Sequence, residues 1–284
     1  MKCFKKGDIV ARKSYGKDIL FNVKKIINTS EGNIAIITGV TERIEADSKL
    51  EDLERVDRIT IKDKLKQMNE KIDNKTRREE KKYQIGIVTT KENRFKQKII
   101  TGKILHLDGD KKYAEKSYRY YKKLGLNAIV KNIPEYKQPQ LVYRLLEIYN
   151  PDILIITGHD GMIKKGIGYN DIYNYRNSKY FIETVREARR YDNEKKKNLV
   201  IFAGACQSYF EAIMSAGADF ASSPARILID FIDPLIIAEK IATTNKYRYI
   251  TIDELAKELK EGKKAIGGIG TNGKMSYLVQ WDAL

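Results

Sequence analysis

Two stretches of the sequence decide the fold: Asp152-Ile-Leu-Ile-Ile-Thr-Gly-His159 and Leu199-Val-Ile-Phe-Ala-Gly-Ala-Cys206. Each is a short apolar run followed by a glycine, a pattern typical of buried strands in a parallel sheet. Ligand-binding and catalytic groups gather just beyond the carboxyl ends of such strands. Positions 159 and 206 are 47 residues apart, which leaves room for one helix and a return strand. We therefore expect His159 and Cys206 to meet at neighbouring strand ends.

His159 and Cys206 are candidates for the general base and the nucleophile of a cysteine peptidase. The alternative is a structural role, with Cys206 as a small buried apolar residue and His159 bonded to a backbone carbonyl. The other cysteine and histidine, Cys3 and His106, lack a comparable strand-end setting, so the pairing favours the catalytic interpretation. His106 is the rival base, although a histidine inside a strand is more often structural.

The order of the two residues narrows the class of peptidase. No histidine follows Cys206, which excludes an arrangement with the cysteine first and a histidine base far downstream. A histidine about fifty residues before the cysteine is the spacing found in caspases, whose local signature is Gln-Ala-Cys. Here the residues are Gly204-Ala-Cys206, and Asp160 follows His159 where that clan usually has glycine. The likeness is partial.

Strand and helix patterns alternate after residue 84. We predict strands at 85–90, 101–109, 127–131, 152–157 and 198–203, and helices at 113–124, 139–149, 178–191 and 207–215. Such alternation predicts a parallel sheet covered by helices on both faces. Residues 84–284 are therefore expected to form one α/β domain.

The first 83 residues have a different pattern. Residues 1–58 contain short β-rich runs separated by turns, which predict a small SH3-like β-barrel. Residues 59–83 are highly charged, with a thin apolar stripe, and predict an exposed helix or linker. Arg77-Arg78 lies in this segment and is a candidate site of proteolytic nicking, including self-cleavage.

The amino-acid composition indicates which binding partners and which cellular compartment to expect. Lys and Arg number 54 against 38 Asp and Glu, which gives a net charge of +16. Such a charge attracts polyanions, but many of the lysines lie on expected helix faces and loops, so nucleic acid is an alternative partner rather than the expected one. Two cysteines form no disulfide framework and suit a reducing cytosol. No stretch resembles a signal peptide or a membrane span, so we expect a cytoplasmic protein.

The whole chain resembles the YabG family of sporulation-specific cysteine peptidases, which belongs to the caspase-like clan. The resemblance rests on five stretches: Phe4–Tyr15, Leu105–Gly109, Gly158–Gly161, Phe202–Tyr209 and Ala221–Ile227. It implies a caspase-like fold for residues 84–284 and cleavage of spore coat and germination-related proteins after basic residues. It also implies self-processing and a location in the sporulating mother cell, in its cytoplasm or at the spore coat.

Each residue of a catalytic site would have a definite role. The thiolate of Cys206 is the nucleophile, and a helix that begins near Gln207 would lower its pKa through the helix dipole. His159 would share the thiol proton and then protonate the leaving amine. The backbone N–H groups of Cys206 and Gly161 would stabilise the oxyanion, because glycine permits close approach of the backbone.

A pocket that selects arginine needs a carboxylate, which can pair with both arms of a guanidinium. Four aspartates follow or flank strand ends and are candidates for this role, with a surface or capping role as the alternative: Asp160, Asp171, Asp219 and Asp230. The sequence contains no credible cluster of metal ligands, so we expect neither a metal ion nor another cofactor.

Two further functions compete with proteolysis. The first is nucleic-acid binding by the basic N-terminal barrel, with the α/β domain as a structural element. The second is a non-catalytic scaffold of the spore coat.

Overall fold

An open antiparallel sheet forms the N-terminal part of the protein. The computed structural model describes residues 4–30, 32–89, 96–163 and 168–280. The strands are β1 (Ile9–Arg12), β2 (Phe21–Thr29), β3 (Gly32–Gly39), β4 (Glu45–Lys49) and β5 (Leu53–Arg55), in the order β4-β3-β2-β1-β5. Among the described strands, β4 pairs only with β3 and β5 only with β1, so these two strands are the edges of the sheet. The predicted SH3-like barrel is not confirmed, because the described strands form an open sheet.

A long helix, α1 (Arg58–Thr89), follows this sheet. It contains the predicted linker 59–83 and also residues 85–89, for which a strand was predicted wrongly. A short apolar run does not distinguish a strand from the end of a helix by periodicity alone. Met68 and Ile72 lie on the thin apolar stripe and pack into the main hydrophobic core. None of the described helices is both long and apolar enough to cross a membrane.

The remaining chain forms a mixed α/β unit around a six-stranded sheet. The described strands of this unit are β6 (Lys96–Ile100), β7 (Ile104–Asp108), β8 (Ala128–Asn132), β9 (Ile153–Thr157), β10 (Val200–Ala203), β11 (Phe220–Ser222), β12 (Tyr249–Ile250), β13 (Ile266–Gly268), β14 (Thr271–Asn272) and β15 (Ser276–Gln280). Four of them lie outside the six-stranded sheet and form two pairs, β12 with β14 and β6 with β15. The helices of this unit are α2 (Lys111–Lys123), α3 (Gln138–Tyr149), α4 (Ser178–Lys195), α5 (Phe210–Ser215), α6 (Asp233–Thr243) and α7 (Ile252–Ala256). The sheet order is β13-β11-β10-β9-β7-β8, and all neighbours are parallel except β13 and β11.

Helices cover both faces of this sheet, as the alternating pattern predicts. Along β9, Ile153 and Ile155 belong to one core cluster, which also contains apolar residues of α2 and α6. Leu154 and Ile156 belong to the second cluster, with residues of α3 and α4. Successive side chains of a strand point to opposite faces, so β9 contributes to both cores. Its complete burial explains why its first four residues are all apolar.

The register of the parallel strands aligns the ends that precede His159 and Cys206. Asp108 pairs with Thr157 across β7 and β9, and Ile156 pairs with Ala203 across β9 and β10. The three strands therefore end at the same edge of the sheet. The loops after β7, β9 and β10 carry the side chains described below.

Ile155→Ala should destabilise the fold by about 2–5 kcal/mol, because it removes buried methyl groups and leaves a cavity in the central strand. Ile59→Ala is the matched control, since Ile59 lies in the first turn of α1 with 74% of its surface exposed. That substitution should change the free energy of unfolding by less than about 0.5 kcal/mol. Urea denaturation of both variants measures the difference. Equal effects would contradict the assignment of β9 to the core.

Candidate active site

The loops that follow β9 and β10 meet at one carbonyl oxygen, that of Arg43. The backbone N–H of Cys206 and the backbone N–H of Asp160 both donate to this oxygen, each over 3.2 Å. Arg43 lies in the loop between β3 and β4, residues 40–44, hereafter the β3–β4 loop. Cys206 is fully buried, and His159 is 3% exposed. The β3–β4 loop therefore covers the edge of the sheet where the loops that carry His159 and Cys206 meet.

The thiol of Cys206 is enclosed by protein. Its sulfur accepts a hydrogen bond from the Ile229 N–H over 3.3 Å and lies 3.7 Å from the Ile229 carbonyl oxygen. Burial raises the pKa of Cys206 to about 12, so the thiol is protonated at neutral pH in this state. The predicted helix at 207–215 begins only at Phe210, and Gln207 has φ +55°. The prediction that a helix begins near Gln207, beside the sulfur, is therefore wrong.

The side chain of His159 has a fixed position. Its ring stacks on the ring of Tyr113, with 5.3 Å between centroids, and its Nε2 lies 3.4 Å from the carbonyl oxygen of Gly39. The backbone N–H of His159 donates to the buried carboxylate of Glu135 over 2.8 Å, and its carbonyl accepts from Asn177. The imidazole thus faces the beginning of the β3–β4 loop.

Asp160 connects the loops that follow β9 and β10. Its Oδ1 accepts from the backbone N–H groups of Gly161 and Asn177, over 2.9 and 2.8 Å. Its Oδ2 accepts from the hydroxyls of Ser178 and Ser208. Burial raises the pKa of Asp160 to about 6 in spite of these four donors. The Asp160 side chain therefore holds the two loops in a fixed arrangement. The Gly161 N–H, which we predicted to bind the oxyanion, already donates to Asp160.

The other three candidate aspartates have separate positions. Asp171 caps a short 3₁₀ turn at the surface through the Tyr173 N–H. Asp219 precedes β11, at the opposite edge of the sheet, and pairs with Arg189. Asp230 lies beside the β3–β4 loop and pairs with a lysine of α1 over 3.0 Å. Within the described residues, no group of three or more His, Cys, Asp or Glu side chains could hold a metal ion.

The carboxylate that does meet an arginine at this edge is Asp108, which the sequence interpretation missed. Asp108 ends β7, is fully buried, and pairs with Arg43 Nη1 over 2.8 Å. Burial opposes its ionisation, but the charge of Arg43 holds the pKa of Asp108 below its usual value. The signal was present in Leu105-His-Leu-Asp-Gly109, an apolar run that ends in an aspartate and a glycine like the other strand ends.

The guanidinium of Arg43 packs against two neighbouring aromatic rings, whose centroids are 5.0 Å apart. Its central carbon is 4.8 Å from the ring centroid of Tyr113 and 5.2 Å from that of Phe231. Both rings are buried, and the Arg43 side chain has no exposed surface. Tyr113 thus contacts both this guanidinium and the His159 ring. Asp108, Tyr113 and Phe231 form what is hereafter the arginine pocket.

His106, the rival base, lies beneath this pocket. Its Nδ1 is 3.1 Å from the Tyr121 hydroxyl, and its Nε2 is 2.7 Å from the Thr157 hydroxyl. Thr157 in turn donates to Asp108 over 3.0 Å. Burial lowers the pKa of His106 to about 3, so the ring is neutral at physiological pH. His106 supports the carboxylate of the pocket and does not reach Cys206 through any described hydrogen bond.

Comparison with known proteins agrees with the resemblance found in the sequence. The model of a family described as YabG peptidase U57 matches residues 5–279. The chain belongs to this family. The "Sporulation-specific protease YabG" of Bacillus subtilis (strain 168) is 41% identical over 285 aligned positions, which cover 95% of this chain and 96% of that protein. No solved structure matches. As a member of the YabG peptidase family, the chain is a peptide hydrolase.

The free energy of unfolding should depend on pH, because the pKa of His106 is low in the folded state. Its ordinary pKa is 6.5, so between pH 6.5 and 3 the unfolded chain binds a proton that the folded chain does not. The folded state then loses up to about 1.4 kcal/mol of stability per pH unit as the pH falls through this window. His106→Gln lacks this contribution. In urea denaturation at pH 7, 5.5 and 4, the stability advantage of wild type over His106→Gln should shrink with falling pH, and a constant advantage would contradict the account.

Proposed function

We propose that this YabG-family chain is a cysteine endopeptidase with Cys206 as the nucleophile and His159 as the general acid–base. One observation carries the proposal: the N–H groups of Cys206 and Asp160 converge on a single carbonyl oxygen next to the thiol. Such a pair of donors is the arrangement that stabilises the oxyanion of acyl transfer. The stacking of His159 on Tyr113 supports the assignment, because it holds the imidazole at the same strand edge.

The reaction proceeds by two acyl transfers. His159 accepts the thiol proton, the Cys206 sulfur attacks the substrate carbonyl, and the proton passes to the leaving amine. Water then hydrolyses the thioester. We assign the oxyanion to the N–H groups of Cys206 and Asp160 in place of the Cys206 and Gly161 pair, because the Gly161 N–H is bonded to the Asp160 carboxylate. Loss of one such donor costs on the order of a hundredfold or more in turnover.

Ionisation of the thiol requires that the site open. In the described state burial raises the pKa of Cys206 to about 12, and the β3–β4 loop lies over the strand edge. Removal of the loop would expose the thiol to water and lower this desolvation penalty. The described state is therefore a resting state of the peptidase in our proposal.

The proposal extends to substrates, location and fold family. The name of the Bacillus subtilis relative supports a role in sporulation. We propose cleavage after arginine in spore coat and germination proteins, in the cytoplasm of the mother cell or at the coat, and a caspase-like ancestry for the α/β unit. We also propose self-processing. Arg77-Arg78, one candidate site, is exposed on α1 and would have to leave the helix before it could bind as an extended strand.

Activity assays on Cys206→Ala and His159→Ala test the mechanism. We expect both to lose hydrolysis of arginyl peptides by roughly a thousandfold or more, since each removes a group that acts in the chemical step. Cys3→Ser is the matched control and should keep wild-type activity. The assay compares arginyl with aspartyl peptides, and circular dichroism confirms that the variants fold.

Wild-type cleavage by Cys206→Ala would contradict the dyad. Absence of peptidase activity in wild type, together with salt-dependent nucleic-acid binding, would favour the nucleic-acid interpretation. Capture of coat proteins without cleavage of any of them would favour the scaffold interpretation.

A further inference from the structure

We propose that Asp108, Tyr113 and Phe231 form the pocket that binds the arginine side chain of a substrate, and that Arg43 of the β3–β4 loop occupies this pocket as an intramolecular substrate. The inference deepens the proposed function and rests on it for the identity of the nucleophile. The pocket would determine the specificity for arginine, and the β3–β4 loop would be the segment that blocks the site.

The side-chain contacts match what an arginine-specific pocket needs. A buried carboxylate pairs with the guanidinium over 2.8 Å, and two aromatic rings lie within 5.2 Å of its central carbon. A planar delocalised cation is favoured over lysine at this position, because it both pairs with the carboxylate and packs against the rings. His106 and Thr157 hold the carboxylate in place from beneath.

The main chain of Arg43 has the position expected of the residue before a cleaved bond. Its carbonyl oxygen accepts from the N–H groups of Cys206 and Asp160, the pair assigned to the oxyanion. A substrate whose arginine entered the pocket would present its carbonyl to the same donors. Side chain and carbonyl of one residue therefore fill both halves of the proposed site.

The rest of the loop binds as an added strand does. Ile44 forms a parallel bridge with Asp160, and Glu42 forms an antiparallel bridge with Asp230. The Glu45 N–H donates to the Asp160 carbonyl over 2.7 Å. Pairing of an extended peptide with exposed backbone is a common mode of peptide recognition, in which backbone bonds give affinity and side-chain pockets give specificity.

The packing around the loop depends on close approach at Gly161. A Cβ added there would lie 2.2 Å from the Glu45 carbonyl oxygen, so a side chain at this position would push the loop away. The Tyr113 hydroxyl donates to the carbonyl oxygens of Gly39 and Glu42, over 3.2 and 3.1 Å. The residue that forms one wall of the pocket thus also holds the loop over it.

A permanent structural role for Arg43 fits the contacts less well. Nε and Nη2 of Arg43 are buried and have no hydrogen-bond partner among the described residues. Buried arginines that only stabilise a fold are normally bonded through most of their N–H groups, since each unpaired donor is costly. A side chain held by one carboxylate and two rings suits an exchangeable occupant.

Peptide binding in an inactive background tests the proposal without catalysis. The probe is the synthetic pentapeptide Gly-Val-Thr-Glu-Arg, which copies residues 39–43, and the matched probe replaces its arginine with citrulline. In Cys206→Ser, the loop competes with the probe. In Cys206→Ser/Arg43→Ala the side-chain pocket is empty and the loop has lost its ion pair, so the arginine probe should displace the loop more easily and bind at least about tenfold more tightly. The citrulline probe should bind on the order of a hundredfold more weakly than the arginine probe.

The control protein is Cys206→Ser/Arg55→Ala, which removes another ion-paired arginine of the same N-terminal sheet. It should bind the probes as Cys206→Ser does. Calorimetric titration measures all affinities. Equal affinity of the two probes would overturn the pocket, and equal affinity of Cys206→Ser and Cys206→Ser/Arg43→Ala for the arginine probe would overturn the occupancy by the loop.

These outcomes separate the inference from the proposed function. Probe binding as predicted, combined with wild-type activity of Cys206→Ala, would keep the pocket and reject the cysteine mechanism. Loss of activity in Cys206→Ala with equal binding of both probes would keep the mechanism and reject the pocket.

Because Arg43 occupies the pocket, we also infer that self-processing cleaves the peptide bond between Arg43 and Ile44. Once the site has opened and the thiol proton has passed to His159, the loop can bind again, and the Cys206 sulfur would attack the Arg43 carbonyl carbon and form a thioester as the bond to the Ile44 nitrogen breaks. That nitrogen takes the proton that His159 received from the thiol, and water then releases the Arg43 carboxylate and restores the thiol. Intact-mass analysis of incubated wild type should find fragments 1–43 and 44–284, absent in Cys206→Ala. A first cut at Arg77-Arg78, or an uncut wild type, would overturn this cleavage step.

Discussion

The buried ion pair between Arg43 and Asp108 is the interaction on which the candidate site depends. Both side chains are removed from water, so neither charge is stable there without the other. Loss of one partner from such a pair costs about 3–5 kcal/mol, because it leaves an uncompensated charge inside the protein. The pair also joins the two parts of the fold, since Arg43 comes from the N-terminal sheet and Asp108 from the end of β7. This contact helps to hold the β3–β4 loop over the strand edge, together with the Tyr113 hydroxyl and the bridges to Asp160 and Asp230.

A second buried carboxylate gives the site its shape. Asp160 receives hydrogen bonds from the loop after β9, from the start of α4 and from Ser208 beyond Cys206. Because one side chain satisfies donors from three segments, the backbone N–H groups of Asp160 and Cys206 are held at a fixed separation. The enclosure that fixes this geometry also raises the pKa of the Cys206 thiol. In the proposed resting state, the enclosure that orders the loops is therefore also what keeps the thiol protonated.

The sequence carried the information for the sheet and for the meeting of its loops. Apolar runs that end at glycine identify β9 and β10, and parallel pairing then brings the residues that follow them to one edge. The contacts of Arg43 could not be predicted in this way, because they join positions 43 and 108, which no local pattern connects. The same limit applies to the open N-terminal sheet, where short β-rich runs predict strands but not closure. At residues 85–89 an apolar run was compatible with strand and helix alike, and the helix α1 continues through it.

Trapping of the acyl-enzyme would show whether Cys206 is the nucleophile. Arg43→Ala protein would be mixed with an arginyl ester, quenched in acid within milliseconds and digested for mass spectrometry. We expect the peptide that contains Cys206 to carry the mass of the arginyl acyl group, since ester cleavage forms the thioester quickly. An acyl group on another residue, or turnover of the ester with no modified peptide, would contradict it.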